Sequence, residues 1–168
     1  MMKQIPYGIT DFSRIQKENY YYVDKTMFIE KIEMQPPYLF LIRPRRFGKS
    51  LTLAMLEAYY DVNHAEQFDE LFGQLYIGQH PTKLHNQFLI MRFNFSEVSS
   101  NVNEVERSFK LHCSSKLKDF VYKYEHLFGK EIWNVLDESI QGDPGAFLSA
   151  INTCLLYTSP SPRDMRRS

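Results

Sequence analysis

Tyr38-Leu39-Phe40-Leu41-Ile42-Arg43-Pro44-Arg45-Arg46-Phe47-Gly48-Lys49-Ser50-Leu51 is an apolar run that breaks into a short basic loop and closes on Gly-Lys-Ser. A helical pattern starts immediately afterwards. A phosphate-binding loop requires that order. A buried strand anchors the loop, backbone N–H groups and a helix N-terminus face the phosphates, a lysine reaches the β/γ oxygens, and a hydroxyl holds Mg²⁺. Gly48, Lys49 and Ser50 occupy the last three positions of G-x-x-x-x-G-K-[ST], while Arg43 stands where the first glycine belongs.

The flanking sequence supports the strand and the helix. Residues 38–42 are continuously apolar, as expected of a parallel strand covered on both faces. Ser50 opens a helix over 50–60, in which Leu51, Ala54, Met55 and Ala58 share a face. Upstream, Asp24 is placed to cap a helix over 25–33 that presents Phe28, Ile29 and Ile32, and Pro36-Pro37 ends it. Downstream, 66–72 reads as a short helix, 73–81 as loop and 87–95 as a second strand. Long helical patterns follow over 103–124 and 130–139. Gly142-Asp143-Pro144-Gly145 is a turn before a last helix, with Pro144 at its first position. Strand and helix in alternation predict an α/β layered fold with a mostly parallel sheet.

The stretch Arg43-Pro44-Arg45-Arg46-Phe47-Gly48-Lys49-Ser50-Leu51 resembles the modified phosphate loop of the AAA-ATPase-like family, bacterial P-loop ATPases often fused to a restriction-endonuclease-like nuclease domain. Pro6-Tyr7-Gly8-Ile9-Thr10-Asp11-Phe12 resembles the opening of that family, and Tyr22-Val23-Asp24-Lys25-Thr26 its second signature. In that family Arg commonly replaces the first glycine, as Arg43 does here. The resemblance runs to about residue 153. It implies a P-loop NTPase fold and ATP with Mg²⁺ as ligand. The nucleotide would lie on Arg43, Pro44, Arg45, Arg46, Phe47, Gly48, Lys49, Ser50 and Leu51, with Ser50 on the metal. It also implies a nuclease-like domain as a possible partner in the parent protein. The family's hydrolytic strand is apolar and ends in Asp-Glu. Val135-Leu136-Asp137-Glu138 has those last letters but sits in a helical pattern, so the resemblance places the acidic (Walker B) strand past residue 153. The reading is a P-loop domain over 1–153, truncated before that strand.

Residues 154–168, beginning Cys154-Leu155-Leu156-Tyr157-Thr158-Ser159-Pro160, resemble the translation of a sequencing adaptor. With Ser, Pro and Arg dominant, they are expected to be a non-native, disordered tail.

Single residues carry competing uses. Arg43, Arg45 and Arg46 suit charge-assisted bonds to a triphosphate, or a solvated basic loop. The rival to nucleotide binding is therefore a non-hydrolysing interaction module whose Arg-rich loop docks an acidic partner. Tyr22, Asp24, Lys25 and Thr26 are expected beside the nucleotide base, or in capping and packing. Asn94 ends the second strand, where ligands gather in open α/β sheets, although hydrogen bonding at the strand end is the commoner use. His112 and His126 match no ligand pattern and read as surface residues.

Composition narrows the classes. The chain has 20 Lys+Arg against 20 Asp+Glu. Without Arg163, Arg166, Arg167 and Asp164 the balance is 17 against 19, a net −2. Neither figure marks nucleic acid or an acidic membrane as a partner. Cys113 and Cys154 supply no disulfide framework or zinc spacing. The start Met1-Met2-Lys3-Gln4-Ile5-Pro6 lacks a signal-peptide core, and no stretch approaches membrane-spanning length. The expected setting is the cytoplasm.

Overall fold

The computed structural model describes residues 3–36, 38–44, 46–128 and 132–133. The chain divides after Ile90 into two compact units.

In the first unit the helices are α1 (Phe12–Lys17), α2 (Phe28–Glu33), α3 (Lys49–Tyr60), α4 (Phe68–Phe72) and α5 (Tyr76–Gln79). A 3₁₀ segment, Val62–Gln67, leads into α4. The core is formed by Phe12, Ile29, Met55, Ala58, Tyr59, Leu71, Phe72, Leu75 and Ile77. Its aromatic rings meet edge to face or tilted, with Phe12 and Phe72 centroids 5.0 Å apart and Tyr59 and Phe72 5.5 Å apart. The face expected on the helix after the loop is used as foreseen. Met55 and Ala58 are buried, and Leu51 and Ala54 pack against the same core.

The expected layered α/β fold is not what forms. Among the described residues there is no sheet, and the β structure is a single parallel bridge between Asp61 and Phe88. Residues 38–42 carry no regular secondary structure, and Tyr38, Phe40 and Ile42 are each close to 90 % exposed. An apolar run records a preference, whereas a strand also needs a neighbour's N–H and C=O groups at ladder spacing. The other expected strand does not provide them. The Phe88 N–H donates to the Tyr60 carbonyl, and the Val62 N–H to the Phe88 carbonyl, so these backbone groups serve the end of α3. Leu39 and Leu41 line a groove together with Phe28, Ile29, Leu51 and Met55.

Other boundaries shift for local reasons. Helix α2 starts at Phe28 rather than at Lys25, because Asp24 bonds elsewhere, as described below. Helix α5 occupies part of the expected loop over 73–81. Helix α1, which the sequence reading lacked, is capped by Asp11, whose carboxylate accepts the Arg14 N–H at 3.1 Å.

In the second unit α6 (Val105–Lys123) realises the long helix expected over 103–124, and α7 (Glu125–Phe128) follows. Cys113, Leu117, Phe120, Val121, Tyr124, Phe128 and Ile132 are buried. Asn94 does not end a strand. Its carboxamide starts a 3₁₀ turn, Phe95–Glu97, accepting from the Ser96 hydroxyl at 2.7 Å. His112, expected at the surface, is 9 % exposed and lies 3.4 Å from Glu97. Its ring centroid lies 6.1 Å from that of Phe95 and 6.5 Å from that of Phe93. His126 is exposed. Pro37, Arg45, the helix over 130–139 apart from Ile132 and Trp133, Asp137-Glu138, the turn at 142–145, the last helix and residues 154–168 lie outside the described residues.

Candidate functional site

Gly48 adopts a left-handed backbone, φ 74° and ψ 19°, and immediately precedes the twelve-residue α3. An L side chain is strained in that region, whereas glycine enters it freely. A helix leaves its first N–H groups without intrahelical acceptors, and most helices cover them with a side-chain cap. Here the N-cap is Gly48, which has no side chain to offer. The first turn closes only with the Thr52 N–H on the Gly48 carbonyl at 2.8 Å, reinforced by the Thr52 hydroxyl at 3.0 Å. Lys49, Ser50 and Leu51 thus sit at the positive end of the helix dipole, their N–H groups without an acceptor among the described residues.

The loop before the helix turns sharply. Arg46 also has a left-handed φ, 66°. The Phe47 N–H donates to the Pro44 carbonyl at 3.4 Å, and Arg43 donates through Nη1 to the Phe47 carbonyl at 3.4 Å. Arg43 therefore braces the loop from within, in the place where the sequence pattern calls for glycine.

Two depressions flank the loop. The first, about 610 Å³, is lined by Arg46, Gly48, Lys49, Ser50 and Leu51 together with residues 5–10. The second, about 370 Å³, is mostly apolar and includes Arg43, Phe47, Tyr22 and Lys25. Of the nine residues expected at the site, five meet in the first cleft. Arg43 and Phe47 face the second, Gly48 and Leu51 border both, the Pro44 carbonyl supports the turn, and Arg45 is outside the described residues.

The second signature divides between two tasks. Tyr22 and Lys25 line the apolar groove. Burial is the main cause that raises the Tyr22 phenol to about 12, with the Asp24 charge adding to it. Asp24 and Thr26 act instead as a clasp. Asp24 Oδ1 accepts the Thr26 N–H and hydroxyl at 2.8 and 2.7 Å, and Oδ2 accepts the Tyr76 N–H at 2.7 Å. The fully buried Thr26 hydroxyl accepts the Ile77 N–H at 3.1 Å. No local pattern reveals partners fifty residues away. The sequence reading also gave no role to residues 5–10 in the cleft, although Pro6-Tyr7-Gly8 carried the turn chemistry that builds that wall.

Chemically, the loop can hold an anion. The start of α3, Lys49 and Arg46 line one cleft, and the Ser50 hydroxyl adds an oxygen that a hard cation accepts. The donor set fits a magnesium polyphosphate. Mg²⁺ is bound largely by water and phosphate oxygens, with few protein ligands. Among the described residues no group of three His, Cys, Asp or Glu side chains is arranged to hold a metal by itself.

This chain belongs to the family described as Predicted AAA-ATPase, whose model matches residues 6–156. Over 55 residues it is 51% identical to an "Uncharacterized protein in vnfD 5'region" of Azotobacter chroococcum mcd 1. That stretch is 32% of this chain, which spans only 11% of the relative's length. No solved structure matches the chain. Among the described residues no helix is long and apolar enough to cross a membrane.

Proposed function

We propose that the chain binds ATP with Mg²⁺ through the loop 43–51. The observation that carries this reading is the glycine-capped start of α3, whose first N–H donors have no acceptor among the described residues, beside Lys49 and Arg46. Backbone groups at 48–51 receive phosphate oxygens, Lys49 neutralises the β/γ charge, Arg46 adds a charge-assisted bond, and the Ser50 hydroxyl takes one position on Mg²⁺. Bound Mg²⁺ supplies charge neutralisation of the phosphates. Family membership supports the choice of ATP over other polyanions. Hydrolysis, its coupling to a further domain and a cytoplasmic setting are proposals about the whole protein.

The rival reading, a loop that docks an acidic partner, draws on the exposure of Arg46 and Phe47. Thermal melting with and without Mg²⁺–ATP separates the two. At a hundredfold excess over the dissociation constant, bound ligand stabilises by about 2.7 kcal/mol. The wild-type chain should show a corresponding rise in melting temperature, and Lys49→Ala should lose most of it. A docking loop shows no ATP-dependent rise in either protein.

A further inference from the structure

The turn Pro6-Tyr7-Gly8-Ile9 lines the same cleft as Lys49 and Ser50 but has no part in phosphate chemistry. Its backbone is fixed. The Tyr7 N–H donates to the Ile5 carbonyl at 2.9 Å and the Ile9 N–H to the Pro6 carbonyl at 3.4 Å, and Gly8 takes the left-handed φ of 74°. The Tyr21 N–H holds the preceding residue, Gln4, through its carbonyl at 2.8 Å. On the other side Asp11 caps α1, and Phe12 is fully buried. On this braced turn the Tyr7 side chain is 93 % exposed. An aromatic ring on a rigid support, contributing nothing to the core, is suited to stacking on a flat ligand.

We propose that the turn 6–9 is the base platform of the cleft. The nucleobase lies against Tyr7, Pro6 and Ile9 while the triphosphate extends to 46–51, and this rests on the phosphate-loop reading above. The cleft lining supplies both kinds of surface a nucleotide uses: Arg46, Lys49 and Ser50 from the loop, and the uncharged Ile5, Pro6, Tyr7 and Ile9 from the turn. Its volume, about 610 Å³, falls within the usual range for small-molecule sites. The neighbouring groove is smaller, has Lys25 and Arg43 among its lining, and includes neither Lys49 nor Ser50.

Titrating Mg²⁺–ATP and Mg²⁺–tripolyphosphate into the full chain tests this. Stacking of one base on an aromatic residue amounts to roughly a fivefold to hundredfold change in affinity. Tyr7→Ala should therefore weaken ATP by at least about fivefold and leave tripolyphosphate unchanged. Tyr7→Trp should retain ATP affinity, and Lys49→Ala should weaken both ligands. An unchanged ATP affinity in Tyr7→Ala, or an equal loss for both ligands, overturns the platform and leaves the phosphate loop standing. Loss of ATP affinity in Tyr21→Ala but not in Tyr7→Ala also overturns it. A Lys49→Ala chain that binds both ligands normally removes the phosphate reading and the platform with it.

Discussion

Two residues, Gly48 and Arg46, shape the loop through their backbone conformation. Gly48 and Arg46 both lie in the left-handed region, but only Gly48 does so without strain. For a residue with a Cβ that conformation costs about 1–2 kcal/mol. Retaining Arg at 46 makes sense if its guanidinium is used. Arg46→Gly should thus leave the melting temperature of the free chain unlowered while weakening Mg²⁺–ATP about tenfold, a charged hydrogen bond being worth roughly 1.5–3 kcal/mol. A parallel loss of stability and affinity in urea melts and titration would argue that Arg46 is structural. Thr26 is the reverse case, a signature residue consumed by the fold. Thr26→Val keeps the shape but leaves the Ile77 N–H without its acceptor. It should cost about 1–3 kcal/mol in urea unfolding, with ATP affinity preserved under folding conditions.

At the scale of elements, helix patterns were legible and strand pairing was not. The faces of α3 and α6 follow from 3.6-residue periodicity, which is local to each helix. For 38–42 the pattern was an unbroken apolar run that predicted a strand covered on both faces, whereas Tyr38, Phe40 and Ile42 are exposed. The run could not give a ladder, because Phe88 spends its backbone groups on Tyr60 and Val62. The start of a helix directly after Gly48 was legible because glycine, lysine and serine lie within one turn, and α3 does begin at Lys49. The wall at 5–10 and the clasp from Asp24 to Tyr76 were not, since both are made by distant pairing. Burial of the aromatic residues also predicts a pH response. The Tyr22 phenol titrates near 10 in the unfolded chain and at about 12 in the folded one. Stability from that difference is complete below pH 10 and is lost as pH rises towards 12. Tyr60, raised by burial first and then by the adjacent Glu33 carboxylate, acts in the same direction. Tyr22→Phe should flatten the decline in unfolding free energy above pH 10. An unchanged slope contradicts a half-buried Tyr22 whose phenol is raised.

The whole chain is formally neutral, and it exposes large apolar side chains at Tyr38, Phe40, Ile42 and Phe47. Neutral charge and an exposed apolar segment both favour self-association. Light scattering should therefore show concentration-dependent aggregation of the wild-type chain. Ile42→Lys, at a position 90 % exposed, should suppress it without lowering the melting temperature. Monodisperse wild-type protein at high concentration contradicts this. Family membership and the geometry around Gly48 converge on one claim, that the start of α3 receives the phosphates of ATP. The most direct test is calorimetric titration of Mg²⁺–ATP into the wild-type chain and into Lys49→Ala. Saturable one-to-one binding by the wild type, reduced at least about tenfold in Lys49→Ala, as expected for loss of a charged hydrogen bond, is the predicted result. Equal affinities, or no heat of binding in the wild type, would contradict the account.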